Sequence, residues 1–387
     1  MVGKSDFPVS MPALAAGARR KQAAMVELMG RLVKAESPSD LKAAVDACVR
    51  LAAEHARRLG GRVKVHSGAR SGFGPSLEAR FGPRKGGAGR VMVLGHLDTV
   101  WPVGALKWMP WRVSGGRIWG PGTLDMKAGV AMAFASIEML MEADLLRREI
   151  VLLLNGDEEI GSGGSRALTE AIAKTCEAVC VMEPAQGLDL KTARKGIGNW
   201  RIEVAGVAAH AGVDFDKGAN AIHELARKVE TVSGWMDLKR GLTVSVGVAA
   251  GGTKSNVVPD RAWAEVDVRI PRRVDGERIA RKFGALRPVD KRCTLKVTGG
   301  INRPPMERSR GTVRLFERAR ELARELGIEL GEAATGGGSD GNFTAAMGIP
   351  TLDGMGAVGE GAHAKHEQVA IEHLAPRTAL LAGMLMG

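Results

Sequence analysis

The sequence predicts an α/β fold: a large, split domain with a mixed, largely parallel sheet flanked by helices, and an inserted ferredoxin-like α+β domain. The first observation is a set of apolar runs at residues 91–95, 150–154 and 178–182, separated by helical patterns. Such runs are typical of strands buried on both faces of a parallel sheet. The second observation is a change, from Gly196 onward, to strands of alternating polarity. Helical periodicity returns at 312–326, which indicates that the large domain resumes there.

The large domain is predicted to begin with two amphipathic helices. Residues 22–35 show helical periodicity that Ser37-Pro38 ends, and the inward-facing side chains are Met25, Leu28, Met29, Leu32 and Val33. A second helix is expected from about Ser39-Asp40 to Gly60-Gly61. The other predicted elements of this segment are strands at 62–66 and 77–81 and helices at about 127–143 and 165–176.

The inserted domain is predicted from the order of its elements. Strands are expected at 199–204, 242–249, 261–270 and 294–298, and helices at 218–235 and 275–286. The order β-α-β-β-α-β is that of the ferredoxin-like unit, for which about 110 residues suffice. We therefore assign residues 1–194 and 306–387 to the two segments of the large domain, and residues 195–305 to the inserted domain.

Composition limits the classes of function. Of the 387 residues, 45% are hydrophobic and 25% are charged, which is ordinary for a soluble globular protein. Aromatic residues make up only 4% and tyrosine is absent, so base-stacking platforms for nucleic acid are not expected. The net charge of +12 comes from scattered basic pairs rather than from one block. It favours a generally basic surface, or steering of carboxylate-bearing substrates, over a nucleic-acid partner.

Cysteine usage and hydropathy predict a cytoplasmic location. The four cysteines are too few and too irregularly spaced for a disulfide framework: Cys48, Cys176, Cys180 and Cys293. Cys176 and Cys180 flank apolar residues, so buried thiols are favoured over a metal site. We find no secretory signal and no apolar run of about 20 residues, so we expect neither export nor a membrane span.

An acidic cluster follows the apolar run at 150–154. The segment Asn155-Gly156-Asp157-Glu158-Glu159 falls at the carboxyl end of that predicted strand, where open α/β sheets bind their ligands. Three neighbouring carboxylates at the rim of a core would repel one another and lose hydration unless a cation neutralised them. The segment therefore indicates a metal site, with a solvated acidic loop as the alternative.

Metal-binding residue types also follow the other two apolar strands. The first strand ends at His96, with Asp98 on the same side of the strand to hold the second imidazole nitrogen. The third strand ends at Glu183. Asp125 lies in a Gly/Pro loop ahead of a predicted helix, where it either binds metal or caps the helix. Such oxygen and imidazole ligands suit Zn²⁺, Mn²⁺ or Co²⁺.

Further polar residues stand out in predicted loops. Near the end of the chain His363 is the expected second imidazole, although His366 competes with it on residue type. In the inserted domain His210 lies among alanines and glycines and is either functional or an ordinary surface residue, and Asn256 follows a Gly-rich turn. The turn Thr335-Gly336-Gly337-Gly338-Ser339 offers backbone N–H groups to an anion. Because no Gly-Lys-Ser/Thr ending follows, a nucleotide-binding P-loop is not expected.

Together these residues resemble the M20 family of metallo-exopeptidases and amidohydrolases, most closely the glutamate carboxypeptidases of the carboxypeptidase G2 type. The resemblance runs from about residue 22 to the end of the chain. Its motifs occur in the family's order: His96-Leu97-Asp98-Thr99-Val100, Gly120-Pro121-Gly122-Thr123-Leu124-Asp125-Met126-Lys127, Asp157-Glu158-Glu159, Met182-Glu183-Pro184, His210-Ala211-Gly212, Arg269 and Gly361-Ala362-His363. Ala128 and His366 depart from the family pattern without removing an expected metal ligand.

The resemblance implies a pair of zinc ions. One Zn²⁺ would be held by His96 and Glu183 and the other by Glu159 and His363, and Asp125 would bridge both. Co²⁺ or Mn²⁺ are alternatives to zinc. An accessory metal contact by His366 is a minor alternative.

The resemblance also implies catalytic and substrate-binding roles. Glu158 would be the general base, and Asp98 would hold His96. His210 would stabilise the oxyanion and would reach the site from the neighbouring subunit. The substrate's free carboxylate would bind Arg269, and the expected further substrate contacts are Asn256, Arg303, Gly337 and Gly338.

The function that follows is that of a zinc-dependent hydrolase, a metallopeptidase of the carboxypeptidase type or an amidohydrolase. It would cleave the amide beside an amino acid with a free carboxylate and form a homodimer through the inserted domain, which would also serve as a lid. The alternative in the same class is an N-acyl-amino-acid deacylase of the acetylornithine deacetylase or succinyl-diaminopimelate desuccinylase type. From other classes we retain a metal-binding protein without turnover and an electrostatic binder of nucleic acid.

Overall fold

The computed structural model describes residues 9–68, 72–83 and 89–386, which form two compact units. The first unit consists of the described residues up to Ala193, together with Arg308–Ala334 and the described residues from Ser339 onward. The second consists of Arg194–Glu307 and the turn Thr335–Gly338. That turn, which the sequence analysis assigned to the large domain, therefore groups with the inserted unit.

Helices and strands follow one another throughout the described residues. The α-helices are α1 (Met11–Lys34), α2 (Lys42–Arg58), α3 (Ala128–Glu142), α4 (Arg166–Ala173), α5 (Ala221–Ser233), α6 (Arg273–Gly284), α7 (Arg310–Glu325), α8 (Gly341–Ala346) and α9 (Leu374–Met386). The strands are β1 (Arg62–His66), β2 (Ser76–Phe81), β3 (Arg90–His96), β4 (Arg112–Ser114), β5 (Arg117–Trp119), β6 (Glu149–Asn155), β7 (Ala178–Val181), β8 (Leu190–Arg194), β9 (Gly196–Ala205), β10 (Ala209–His210), β11 (Thr243–Gly251), β12 (Val257–Val258), β13 (Arg261–Ile270), β14 (Thr294–Arg303), β15 (Glu332–Thr335), β16 (Thr351–Leu352), β17 (Gly359–Glu360) and β18 (Gln368–Ala370).

The first unit contains a six-stranded sheet in the order β1-β2-β6-β3-β7-β16. β6, β3, β7 and β16 run parallel, whereas β2 pairs antiparallel with β6 and β1 pairs antiparallel with β2. Every residue of β6 is buried, which explains why its apolar run shows no alternation. Because β3 lies between β6 and β7, the carboxyl ends of these three strands are adjacent. The mixed, largely parallel sheet predicted from the sequence is confirmed.

Helices α1, α3 and α9 pack against one another in the core of the first unit. The predicted start of the first helix at residue 22 is wrong, because α1 begins at Met11 and Ser10 caps it. Alanine is the best helix former, but it gives little contrast between apolar and polar positions. The Ala-rich first turns of α1 therefore show no helical periodicity from which they could be predicted. Among the described helices, none combines the length and the apolar character needed to cross a lipid bilayer.

The second unit contains a four-stranded antiparallel sheet in the order β11-β13-β9-β14. Helices α5 and α6 cover one face of it, and the predicted β-α-β-β-α-β order is confirmed. β14 continues five residues beyond its predicted end at Thr298, to Arg303. At Gly299, just beyond the predicted end, a Cβ would lie 2.1 Å from the carbonyl oxygen of Asn199. Glycine here permits the close approach of β9 rather than a turn.

A small sheet in the first unit, in the order β17-β18-β5-β4, was not predicted. Its strands are two or three residues long, too short to show a period, and β5 pairs with a strand distant in the sequence. Trp119 lies opposite Gln368 and Ile118 lies opposite Val369. This pairing brings the loop that follows β5 next to the turn that precedes β18.

The cysteines are free thiols, as the sequence indicated. Cys48, Cys180 and Cys293 are buried, and Cys176 is partly buried. Cys176 packs against the apolar cluster that includes Val179. Their surroundings are those of ordinary core side chains.

The aromatic cluster of the second unit gives a test of its core. Phe283 is buried, stacks on Trp200 with ring centroids 4.3 Å apart, and meets Trp235 edge-on at 5.0 Å. We expect Phe283→Ala to lower the free energy of unfolding of this unit by about 3–5 kcal/mol, because it removes these contacts and leaves a cavity. Urea denaturation followed by tryptophan fluorescence measures the loss. Val289→Ala, at an exposed position, is the control and should change it by less than about 0.5 kcal/mol. A loss below about 1 kcal/mol for Phe283→Ala would contradict the described packing.

Candidate metal centre

The ends of three parallel strands carry the first part of the site. β3 ends at His96, which pairs in register with Asn155 at the end of β6. Glu158 and Glu159 follow β6 in a single 3₁₀ turn, and Glu183 follows β7 by two residues. His96 Nε2 lies 3.7 Å from Glu183 Oε1. Sheet topology therefore brings residues from three separate segments to one place.

Asp125 adds a carboxylate between two imidazoles. Its Oδ1 lies 3.1 Å from His96 Nε2, and its Oδ2 lies 3.4 Å from His363 Nε2. α3 begins without a side-chain hydrogen bond at its N-terminus, so Asp125 does not cap that helix. The loop that holds Asp125 turns sharply at Gly122 (φ 70°), where a Cβ would lie 2.5 Å from the side chain of Thr99. Glycine is therefore required at this turn.

His363 completes the group from the far end of the chain. Its Nε2 lies 3.1 Å from Glu159 Oε1, and its side chain is half-exposed. The backbone of His363 has a φ of 60°, which residues other than glycine seldom adopt. His366, the competing imidazole, is exposed and lies over Gly361. The structure thus brings His363 to the cluster.

The candidate ligand atoms are close enough together to hold a divalent ion. One atom from each of His96, Asp125 and Glu159 lies within 4.8 Å of the other two, and the same holds for His96, Glu158 and Glu183. The donors are imidazole nitrogens and carboxylate oxygens, which fit Zn²⁺, Mn²⁺ or Co²⁺. Glu158 belongs to the second group, so its position suits a base beside the metal or a further ligand.

The pKa values of Asp125, Glu159 and His363 are shifted by burial and by the hydrogen bonds among them. Burial opposes ionisation of Asp125, but hydrogen bonds from His363 and His96 outweigh it and lower the pKa of Asp125. Hydrogen bonds to Asp125 and Glu159 raise the pKa of His363 to about 10. Burial raises the pKa of Glu159, and a hydrogen bond from His363 only partly offsets that rise. Because a metal ion binds the unprotonated forms of these groups, metal binding and protonation compete at this site.

Asp98 supports the site through two kinds of contact. Its carbonyl oxygen lies 3.0 Å from His96 Nδ1, closer than its carboxylate, which lies 3.4 Å away. The carboxylate accepts hydrogen bonds from Ser39 Oγ at 2.7 Å and from the backbone N–H groups of Glu158 and Glu159 at 3.2 and 3.1 Å. Asp98 therefore holds both the imidazole of His96 and the turn with Glu158 and Glu159. No pattern in the sequence predicted its contacts with that turn.

Two buried charged residues that the sequence analysis gave no role lie beside the site. The ammonium group of Lys127 donates to the carbonyl of Leu32 at 3.0 Å, and burial lowers the pKa of Lys127. The carboxylate of Glu367 accepts backbone hydrogen bonds from the loop that holds Asp125. Lys127 belongs to the motif that contains Asp125, but neither residue lies in a periodic or strand-end position that would have predicted these contacts.

His210 and Asn256 lie together in the second unit. His210 is exposed in β10, which pairs with β12, and its Nδ1 accepts a hydrogen bond from the N–H of Gly212 at 3.2 Å. Asn256 is exposed as well, and its carbonyl accepts from the N–H of Ala211 at 3.0 Å. The two predicted residues thus lie near each other, His210 at the end of β10 and Asn256 just before its partner strand β12.

Arg269, Arg303 and the Gly-rich turn meet on the sheet face opposite the helices. Arg269 in β13 and Arg303 in β14 both lie opposite Ile197 of β9, so the two positions share one face. A Cβ on Gly338 would lie 2.8 Å from side-chain atoms of both Arg303 and Ile197. The carbonyls of Gly337 and Gly338 accept hydrogen bonds from Arg194 at 3.3 and 3.2 Å. This face therefore carries two guanidinium groups near the Gly-rich turn, and Arg269 pairs with Asp267 at 2.8 Å.

Comparison with known proteins gives a consistent result. The model of peptidase family M20/M25/M40 matches residues 92–387. Carboxypeptidase G2 from Pseudomonas sp. (strain RS-16) is 30% identical over 379 residues, which cover 95% of this chain and 89% of that protein. Succinyl-diaminopimelate desuccinylase from Paracoccus denitrificans (strain Pd 1222) is 34% identical over 215 residues, or 50% of this chain and 55% of that protein.

Solved structures agree with this result. Aminopeptidase PepT from Bacillus cereus ATCC 10987 superposes with a TM-score of 0.77 at 25% identity, covering 94% of this chain and 98% of that one. The M20 family metallo-carboxypeptidase Sso-CP2 from Sulfolobus solfataricus shares the fold with a TM-score of 0.69 at 17% identity and the same coverage. The resemblance inferred from the sequence motifs is confirmed: this chain belongs to peptidase family M20/M25/M40, the metal-dependent peptidases and amidohydrolases.

Proposed function

We propose that this enzyme is a di-zinc hydrolase that cleaves the amide bond of peptides or N-acyl amino acids bearing a free carboxylate, in the manner of a glutamate carboxypeptidase. The observation that carries the proposal is the position of Asp125, whose two carboxylate oxygens each face one imidazole. A carboxylate shared in this way suits two neighbouring cations better than one. The relative named carboxypeptidase G2, similar over nearly the whole chain, supports the choice of substrate class.

The proposed ligands form two sets that share Asp125. His96 and Glu183 would hold one ion, and Glu159 and His363 would hold the other, which agrees with the short distances between the members of each pair. When bound, the two ions would lower the pKa of water and polarise the scissile carbonyl. Zinc is the proposed metal, with Co²⁺ or Mn²⁺ as alternatives.

Glu158 is the proposed general base. It is largely buried, and Asp98 fixes its backbone N–H, so its carboxylate has a defined position beside His96 and Glu183. Glu158 would take a proton from the attacking water and deliver it to the leaving amine. His210, supplied by a neighbouring subunit, would donate to the developing oxyanion.

Substrate recognition is proposed to rely on the sheet face of the second unit that carries Arg269 and Arg303. The guanidinium fork of Arg269 fits a carboxylate in bidentate fashion. Arg303, Asn256 and the N–H groups of Gly337 and Gly338 would provide further contacts. The charge and the shared face of Arg269 and Arg303 support this assignment.

A deacylase of the succinyl-diaminopimelate desuccinylase type is the second candidate. The partial likeness to desuccinylases favours it, and the same catalytic groups would serve either reaction. Rates of hydrolysis for a panel of N-acyl amino acids and dipeptides, each with a free carboxylate, distinguish the two candidates. A carboxypeptidase should select for the amino acid that carries the free carboxylate, and a deacylase should select for the acyl group. A metal-binding protein without turnover would hydrolyse none of them.

The open edge of β11 supports a homodimer through the second unit. β11 is one of the two edge strands of the four-stranded sheet, and its sequence has neither charge nor proline: Thr243-Val244-Ser245-Val246-Gly247-Val248-Ala249-Ala250-Gly251. Val248 is 48% exposed. An exposed apolar edge of this kind is a template for pairing with another strand, and natural proteins usually protect it. A second copy of this chain is the proposed cover.

Replacing Glu158 tests the base assignment. We expect Glu158→Gln to lower kcat by about 10²–10⁴-fold, because the amide cannot accept the proton, while the zinc content stays that of the unmodified enzyme. His96→Ala, which deletes a proposed ligand, should lose one ion. Elemental analysis of the purified variants measures the metal. If Glu158→Gln loses zinc, Glu158 is a ligand; if it keeps kcat within tenfold, it is not the base.

Replacing Arg269 tests recognition of the free carboxylate. We expect Arg269→Met to raise KM by about 10–100-fold for a substrate with a free carboxylate, because a charge-assisted pair is lost. The same substrate with an amidated carboxylate should show little change. Arg201→Met is the matched control, since both side chains lie on one face of the sheet and are 35% exposed. Equal changes in KM for both substrates would contradict the assignment.

A charge on the edge strand tests the proposed dimer. Light scattering should give about twice the chain mass of 40.8 kDa for the unmodified protein and a monomer for Val248→Lys, since burying an unpaired ammonium group is costly. Val113→Lys places the same charge at a similarly exposed position in the first unit and should remain dimeric. A monomeric unmodified protein, or a Val248→Lys dimer, would exclude this interface.

A further inference from the structure

The carboxylate of Glu367 joins two loops and an indole ring of the first unit. Its side chain is 1% exposed. Oε1 accepts hydrogen bonds from the backbone N–H groups of Leu124 at 2.8 Å and Asp125 at 3.1 Å. Oε2 accepts from the N–H of Gly122 at 2.9 Å and from the indole N–H of Trp101 at 2.8 Å. Both oxygens are therefore fully used, and each donor belongs to a segment close to the candidate metal centre.

The backbone of Glu367 closes the turn that carries His363. The N–H of Glu367 donates to the carbonyl of Ala364 at 2.9 Å, and the N–H of Ala364 donates to the carbonyl of Gly361 at 2.8 Å. The side chain of Glu367 meanwhile holds the turn that carries Asp125. One residue thus connects the backbone next to His363 with the backbone of Asp125.

We propose that Glu367 is a positioning residue that sets the spacing between Asp125 and His363, and through it the affinity of the metal position that these residues share with Glu159. This inference rests on the proposed metal-dependent function. The reason is geometric: Asp125 Oδ2 lies 3.4 Å from His363 Nε2, and Glu367 fixes the backbone on both sides of that contact.

Only a carboxylate satisfies the donors around Glu367. The site presents N–H groups alone, and an ionised carboxylate is purely an acceptor with two oxygens. A glutamine amide would turn its NH₂ group toward two of these donors and leave them without partners in a buried place. Aspartate keeps the charge but is shorter by one C–C bond, roughly 1.5 Å. Each substitution should therefore let the Asp125 turn move relative to His363.

Asp98 holds the other acidic segment in a comparable way. Its carboxylate accepts the backbone N–H groups of Glu158 and Glu159, just as Glu367 accepts those of Leu124 and Asp125. Metal affinity depends on groups that orient the ligands, and losing one such group typically costs 10–100-fold in affinity. Glu367 is therefore expected to contribute to metal binding without touching the metal.

The experiment compares metal binding by Glu367→Gln, Glu367→Asp and the unmodified enzyme. Zinc affinity is measured by competition with a chromophoric chelator, and the Co²⁺-loaded proteins are compared by their visible absorption spectra. We expect one of the two ions to bind about 10–100-fold more weakly in Glu367→Gln, a smaller loss in Glu367→Asp, and an altered Co²⁺ spectrum. Glu372→Gln makes the same chemical change on a side chain that is 77% exposed, and it should behave like the unmodified enzyme.

A purely structural role for Glu367 predicts a different result. It would lower the thermal unfolding temperature and leave both zinc affinities and the Co²⁺ spectrum of the folded variant unchanged, and that outcome overturns the inference. If Glu367→Gln does not fold, Trp101→Phe is the alternative test, because it removes only one of the hydrogen-bond donors to Glu367 Oε2. Weaker binding of one ion in Trp101→Phe supports the inference, and unchanged binding of both overturns it.

The outcomes separate this inference from the proposed function. An unmodified enzyme that binds fewer than two ions overturns both proposals. An unmodified enzyme that binds two ions and hydrolyses its substrate, with a folded Glu367→Gln that binds both equally well, overturns the role of Glu367 alone.

Discussion

The carboxylate of Asp125 lies between the imidazoles of His96 and His363, and the remainder of the site depends on this arrangement. Burying several carboxylates in one place is unfavourable unless positive charge neutralises them. Burial lowers the pKa of His96, but hydrogen bonds to Asp125 and Asp98 outweigh it and raise that pKa, and hydrogen bonds to Asp125 and Glu159 raise the pKa of His363. The site therefore stabilises positive charge, which is the electrostatic basis of the proposed function.

The parallel sheet, together with the buried carboxylates of Asp98 and Glu367, holds the candidate ligands close together. Parallel pairing of β3 with β6 and β7 brings three of the segments that carry candidate ligands to one edge of the sheet. The loops with Asp125 and His363 have no such support, and the small sheet built on β5 and β18 brings them together. Asp98 accepts the backbone N–H groups of Glu158 and Glu159 in the turn after β6, and Glu367 accepts those of the loop that holds Asp125. Backbone anchoring fixes a ligand's position without occupying its side chain.

The sequence predicted those parts of the fold that leave a local pattern. β3, β6 and β7 appear as uninterrupted apolar runs because they are buried on both faces, and the strict alternation of Arg261–Ile270 gave the bounds of β13 correctly. The start of α1 and the short strands β4, β5, β17 and β18 lacked such a pattern. Residue type and strand-end position identified the candidate ligands, and the family resemblance suggested their roles. The contacts of Glu367 with residues about 245 positions away in the chain could not follow from spacing.

The measurement that tests the central claim most directly is anomalous diffraction at the zinc edge from crystals of the zinc-loaded enzyme. The account predicts two peaks roughly 3.5–4 Å apart on either side of the Asp125 carboxylate. One peak should lie beside His96 and Glu183, and the other beside Glu159 and His363. A single peak, or two peaks that do not share Asp125, would contradict it.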